Sequence, residues 1–511
     1  MKRLRPVERS APDDVTADGD RAGPASALRI GLRGKLFGYG MSRSLVEALL
    51  AARAFVLASI LGPEVFGTWA LFQVGMRYCA FAGLGLLRGL EVEVASDGAR
   101  RPQPSARQRF WGEVVAGYSL WLYLPLSVVA ALGWLRWGDA AASLALLGIA
   151  LALPVDRLWA YALTFLRAAG TLRHFAVLEL AHAALQLVLT IAMALAWGLV
   201  GAYLGFAFAS LAGVILMAGR VPLRPRRALR SVRRLLRIGF PVSLTGILTA
   251  SLATADRLLV GALAGLAALG VYAFAVALSG LGVSCALVVR NVILTDVYRK
   301  DRAAERQAVP GGMVLESSIA ALAVLVPPIA AAASICLGPI VTLLLPQYVA
   351  AVPVAQILIF TGILQGLVNV TVLGVVAAGR QRGLPLLTIG AVAMNVGLSL
   401  LALQLGLGLV GVAVAALITR VLYAAGVLSL RDRTPLLESA PRRTFELAIK
   451  PLLPTLWCVV VVITIDQLLA PRVPVQLLAA LLVCGLALLR CCRRSAARSP
   501  RCARWGRLAS P

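Results

Sequence analysis

Histidine is nearly absent from this chain, with two in 511 residues, and acidic side chains number 23 against 50 Lys and Arg. His174 and His182 alone cannot build a metal centre, because the other ligand candidates are scattered through apolar sequence. The eight cysteines supply no disulfide framework. Cys79, Cys285, Cys336, Cys458 and Cys484 fall inside apolar runs, where a free Cys behaves as a small buried hydrophobe. Cys491, Cys492 and Cys502 sit in a basic terminal segment, read as lying on the reducing side of a membrane. There is no glycine-rich phosphate loop and no nucleophile elbow, so hydrolysis of ATP by the chain itself is excluded. Long outer loops are also missing: Leu61–Gly67 and Leu263–Gly270 are the whole of two of them, which leaves no outer domain to house an enzyme. Residues 1–35 lack an apolar core, which reads as a cytoplasmic tail and not a signal peptide.

What the chain does have is hydrocarbon. Hydrophobic residues make up 60% of it, charged residues 14%, and mean hydropathy is +0.86. A spanning helix needs about 20 mainly apolar residues. Fourteen segments qualify, at 38–60, 65–87, 110–133, 143–165, 173–195, 198–218, 240–262, 267–289, 313–335, 354–376, 384–404, 408–429, 449–466 and 474–490. The fold class expected is an all-α polytopic membrane protein.

The net charge of +27 does not point to nucleic acid, because of where the charge lies. Basic residues crowd alternate loops: Arg100, Arg101 and Arg107; Arg224 to Arg237; Arg299, Lys300 and Arg302; Arg380 and Arg382; Arg431, Arg433, Arg442 and Arg443; then the tail from Arg490. The intervening loops hold only Arg136 and Arg472. This alternation is the positive-inside rule; it places both termini in the cytoplasm and requires an even number of spans. Within 219–239, Leu229, Val232 and Leu236 share a helical face opposite the arginines, which suits an interfacial helix drawn to anionic phospholipid.

Two stretches repeat. Ala168-Ala169-Gly170 to Gly198-Leu199-Val200-Gly201 is answered by Ala377-Ala378-Gly379 to Gly408-Leu409-Val410-Gly411, at offsets of 209 and 210. Gly67-Thr68-Trp69-Ala70-Leu71 is answered by Gly270-Val271-Tyr272-Ala273-Phe274, at an offset of 203. A duplicated apolar bundle is the signature of a carrier whose substrate site lies between its halves. The expected organisation is a disordered tail (1–35), a six-helix lobe (36–218), a basic amphipathic connector (219–239), a second six-helix lobe (240–430), a cytoplasmic connector (431–448), an added helix pair (449–490) and a basic tail (491–511). Six is even, so the lobes form parallel repeats.

A charge in hydrocarbon costs about 2.5–3.5 kcal/mol even on lenient scales, so it faces a cavity or a partner. Arg53, Arg77, Asp256 and Arg257 come from spans 1, 2 and 7, corresponding elements of the two lobes, and are the cavity candidates. Arg53, Arg77 and Arg257 together make a cationic cavity suited to phosphate, which Arg binds bidentately. Glu47, paired at helical spacing with Arg43, together with Asp156, Arg157 and Arg290, forms a secondary set. Each has a structural alternative in which it pins helices together.

These residues resemble those of a polysaccharide flippase in the multidrug/oligosaccharidyl-lipid/polysaccharide exporter superfamily, the O-antigen and exopolysaccharide branch. The words that carry the likeness are Leu61-Gly62-Pro63-Glu64-Val65-Phe66-Gly67, Gly239-Phe240-Pro241, Asp256-Arg257-Leu258-Leu259-Val260-Gly261, Gly270-Val271-Tyr272-Ala273 and Leu409-Val410-Gly411-Val412-Ala413. It covers residues 36–430; span 1 lacks the Arg-Asp pair of the peptidoglycan-precursor branch. The resemblance implies two lobes in a V, a cavity lined by spans 1, 2, 7 and 8, and alternating access that moves an undecaprenyl-diphosphate-linked oligosaccharide across a bacterial inner membrane. It implies no cofactor, leaves H⁺ or Na⁺ coupling open, and suggests glycosyltransferases and a glycan polymerase as working partners. The rivals are a drug/cation antiporter of the same superfamily and a membrane-embedded glycan-processing enzyme.

Overall fold

Gly62 and Gly198 decide how the first lobe folds. Helix α1 (Pro24–Cys79) is interrupted at Gly62 (φ 72°, ψ 169°), immediately before Pro63. Helix α5 (Leu172–Leu216) is interrupted at Trp197 and Gly198 (φ 58°). Positive φ is cheap only for glycine, and proline readily restarts a helix at its first turn. Each break folds two apolar runs into a hairpin. In α5 the two arms touch backbone to backbone: a Cβ on Gly201 would stand 1.9 Å from the Met193 carbonyl oxygen, and one on Gly205 2.4 Å from that of Leu189.

The computed structural model describes residues 24–96, 104–136, 140–170, 172–226, 228–280, 311–377 and 383–432. After α1 come a short 3-10 turn (Ala80–Gly83), α2 (Leu86–Ser96), α3 (Ala106–Arg136), α4 (Ala140–Ala168), α5 and α6 (Leu229–Leu263). Then follow α7 (Leu266–Gly280), α8 (Gly311–Leu344), α9 (Ala351–Ala377), α10 (Gly383–Gln404) and α11 (Gly408–Asp432). No β-strand appears among the described residues. Eight helical stretches are long and apolar enough to cross a membrane, and two of them, Leu45–Gly83 and His174–Leu216, each hold two of the spans expected from sequence. The protein is an all-α polytopic membrane protein. The final helix pair, both cytoplasmic segments beyond 432 and Arg290 lie outside the described residues, as does the Arg43 side chain.

Two boundaries differ from expectation. The first helix begins at Pro24, inside the segment read as a tail, with proline at a position where its missing N–H costs nothing. Helix α6 runs unbroken from Leu229 through Pro241, so the amphipathic connector and span 7 are one helix. Leu229 is 83% exposed, whereas Val232 is buried; the shared apolar face thus starts at Val232.

Pro154 shows how the bundle tolerates proline. It has no N–H for the Ala150 carbonyl one turn earlier, and the Ser127 hydroxyl of α3 donates to that oxygen instead, at 2.5 Å. On α3, Trp121, Leu124, Val128, Leu132 and Leu135 are exposed at helical spacing, a stripe that faces lipid.

The first lobe packs α1 on α5 and α4, and α3 on α4; the second packs α9 on α11 and α8, and α10 on α11 and α6. The lobes meet at two glycine crossings. At the end with bare loops, a Cβ on Gly67 would lie 2.1 Å from the Leu266 carbonyl oxygen, and one on Gly270 1.8 Å from that of Pro63. The contact is reciprocal, and its partners are the repeated words of the sequence. Tyr348 seals it, its ring 4.5 Å from Phe274 and its hydroxyl donating to Ala58 O at 3.2 Å. At the arginine-rich end, a Cβ on Gly239 would lie 1.9 Å from Gly85 O, and one on Gly89 2.3 Å from Leu235 O. The lobes thus touch backbone to backbone near both ends of the bundle.

Candidate functional site

Between these crossings lies a cavity of about 540 Å³, walled by the end of span 2, α2, α3, α4 and α6. Its charged lining is Arg77, Arg88, Arg157, Arg167 and Glu91, four cations to one carboxylate. Tyr118, Ser119, Tyr123, Thr164, Ser243 and Thr249 add hydroxyls.

Arg77 comes from α1 in the first lobe. The neighbouring Tyr78 hydroxyl bonds to Thr254 Oγ1 at 2.9 Å and lies 3.4 Å from Ser251 Oγ, and this sets the register of α1 against α6. That register brings Arg257 of the second lobe within electrostatic range of Arg77. Among the described residues neither guanidinium has an ion-pair partner, and the Arg257 Nε is buried without an acceptor. Two like charges left facing across a lobe interface call for an anion between them.

Asp256 does not answer that call. It is buried, accepts from the Tyr272 hydroxyl at 2.7 Å and from the Arg257 backbone N–H at 2.9 Å, and does not line the cavity. Successive helix residues point about 100° apart. With Asp256 turned to α7, Arg257 faces the first lobe. Asp156 acts likewise on α4: buried itself, it holds Arg157 Nε at 3.0 Å while the guanidinium lines the cavity.

Arg53 lies elsewhere. It is buried inside the first lobe, donates to Gln186 Oε1 at 2.7 Å, and sits 5.9 Å from the Trp69 ring centre and 5.8 Å from that of Phe206. Glu47, half-buried on the same helix, also lies outside the cavity lining. The structure therefore places Arg77 and Arg157 in the lining and Arg257 within electrostatic range of Arg77, and leaves Arg53, Glu47, Asp156, Asp256 and Arg257 itself out of the lining.

Three groups escaped sequence reasoning. Arg88 and Arg167 sit at span ends, where a basic residue reads as a topology signal and not as a wall of a cavity. Glu93, 3% exposed, joins the lobes at the arginine-rich end by ion pairs to Arg107 (3.3 Å) and Arg234 (2.7 Å). Arg420, inside span 12, was visible as an intramembrane charge; it donates to Gln365 Oε1 and, at 3.4 Å, to Leu252 O.

The connector arginines divide. Arg226 pairs with Glu113 at 3.8 Å and lies over the Phe110 ring, and Arg234 lies over Trp111, while Arg230 and Arg233 point outward, exposed.

Residues 56–353 match a protein-family model described as "Polysaccharide biosynthesis protein". Among solved structures, the chain resembles the lipid II flippase MurJ in an inward closed conformation, at 14% identity and a TM-score of 0.65, over 90% of this chain and 99% of that one. It also resembles a multidrug resistance MATE family transporter of the MOP superfamily in an inward-facing conformation, at 18% identity and a TM-score of 0.55, over 76% and 96%. No curated protein matches the sequence.

Proposed function

The chain belongs to the polysaccharide biosynthesis protein family, and from that premise we propose that it is a flippase moving an undecaprenyl-diphosphate-linked oligosaccharide across a bacterial inner membrane by alternating access. The observation that carries the reading is the pair Arg77 and Arg257, one from each lobe, unpartnered across the interface beside a 540 Å³ cavity. A diphosphate has the charge and the acceptor geometry to bridge two guanidiniums. Because the two arginines sit on different lobes, its binding draws the lobes together, and with them the glycine crossings at either end. Arg157, steered by Asp156, adds a third cation on the first-lobe wall.

The resemblance to a lipid II flippase supports a lipid-linked substrate, and the duplicated bundle supports alternating access. The charge bias assigns the arginine-rich end and both termini to the cytoplasm, so loading is from that side. The exposed Arg230 and Arg233 hold the connector to anionic phospholipid. Energy comes from an H⁺ or Na⁺ gradient or from consumption of the flipped product by a polymerase, and the chemistry on the glycan belongs to those partners and to glycosyltransferases.

The test is translocation of an undecaprenyl-diphosphate oligosaccharide in proteoliposomes, comparing wild type with Arg77→Gln and Arg257→Gln at equal insertion. Loss of transport in both variants is the expected result. Full transport in both removes the anion bridge, and a wild type that moves an organic cation and not the glycan replaces this reading with the antiporter.

A further inference from the structure

The guanidiniums that line the cavity lie at two levels. Helix α4 contributes both Arg157 and Arg167, ten residues and therefore about 15 Å apart along its axis. Arg157 belongs to the inner level, with Arg77. Arg167 lies in the last turn of α4 at the arginine-rich mouth, opposite Arg88 of α2. A diphosphate held between Arg77 and Arg257 does not reach that far.

The outer pair shares a single carboxylate: Arg88 lies 2.9 Å and Arg167 3.2 Å from Glu91, the one carboxylate among the described lining residues. One positive charge is left over. Each guanidinium has five N–H donors, and Glu91 engages one nitrogen of each. The Arg167 Nε, although buried, has no acceptor. A trio serving only to fasten α2 to α4 needs no surplus guanidinium in the lining of a cavity. Tyr118, Ser119 and Thr164 supply the rest of this wall with hydroxyl and ring surface, the lining that sugar hydroxyls require.

We propose that Arg88 and Arg167 form a second anion subsite and that the glycan carried is acidic, with a sugar carboxylate seated there while the diphosphate occupies the inner level. This rests on the flippase reading above. It sets a specificity filter at the mouth: a neutral glycan leaves the surplus guanidinium unpaired, while a uronate pairs with it by a charge-assisted bond.

Two synthetic undecaprenyl-diphosphate oligosaccharides, identical except for glucose or glucuronate at one position, decide the matter in proteoliposomes. Wild type is expected to transport the acidic glycan about tenfold better, equivalent to ~1.4 kcal/mol. Arg88→Gln/Arg167→Gln is expected to lose that preference, the acidic-to-neutral transport ratio falling about tenfold. Glu91→Gln is a second variant that frees both arginines; it is expected to raise affinity for the acidic glycan, whereas a purely structural trio predicts equal losses for both glycans. An equal fall for both glycans in the double variant, or no change in either, overturns the subsite. A wild type that moves neither glycan overturns the flippase reading itself.

Discussion

Adding one methyl group at the bare end of the bundle tests the reciprocal glycine crossing. In Gly67→Ala the new Cβ would lie 2.1 Å from the Leu266 carbonyl oxygen and 2.9 Å from its carbon; in Gly270→Ala it would lie 1.8 Å from Pro63 O and 2.8 Å from its carbon. Both obstacles are backbone, so no rotamer change relieves them. Restoring an ordinary contact of 3.4 Å requires the two helices to part by more than 1 Å. Overpacking of this kind costs about 1–3 kcal/mol. The cost falls only on states in which the crossing is closed, so a gap of that size shifts the open-to-closed ratio about 5- to 150-fold. The reporters are Ala70→Cys and Ala273→Cys, 3% and 9% exposed and placed one helical turn beyond each glycine, in a background without other cysteines. Labelling by a membrane-impermeant maleimide from the bare-loop side is expected to rise for both variants, and by similar amounts because the crossing is symmetric. Gly397→Ala serves as the control, since its Cβ meets nothing within 4 Å. If Gly67→Ala and Gly270→Ala both label like their parent, the closed crossing carries no strain and the reasoning fails.

Three further outcomes follow from the same geometry. Ser127→Ala leaves the Ala150 carbonyl without its donor and is expected to destabilise the protein by about 1–2 kcal/mol; adding Pro154→Ala restores an in-helix donor, so a double-mutant cycle of thermal melts shows recovery. Arg53→Gln removes a charge held between two rings and Gln186, so thermal stability drops by about 2 kcal/mol while glycan affinity stays at the wild-type value, read by melting and by binding in detergent. Glu93→Gln breaks the pairs with Arg107 and Arg234, both more than half exposed, and is expected to loosen the arginine-rich crossing by about 1 kcal/mol, seen as increased labelling of Ser243→Cys, buried one turn beyond Gly239, in inside-out vesicles.

The cavity arginines show why a single sequence stops short of the site. Arg53 and Arg77 look alike in the sequence, each a lone guanidinium in an apolar run. What separates them is the arm of α1 on which each sits, on either side of the Gly62 break, and the element that its side chain meets. Arg53 meets Gln186, Trp69 and Phe206 inside its own lobe, and Arg77 meets the other lobe. Asp256 and Arg257 were legible as a pair of which one must turn inward; which one was settled by the Tyr272 hydroxyl, sixteen residues away, in the interior of the second lobe. Arg88 and Arg167 were legible only as topology signals, because their meeting over Glu91 depends on α2 folding back beneath α4.

The sequence by itself determined the apolar spans, the alternation of basic loops and the duplication, including the words around Gly67 and Gly270. These are properties of contiguous residues, since burial in hydrocarbon and the charge bias act on each segment as it stands. The tertiary structure alone decided which glycines carry a crossing, which arginines share a cavity and which carboxylates restrain them. Each of those depends on the azimuth and depth of one helix against another, and these are set by packing between residues hundreds of positions apart.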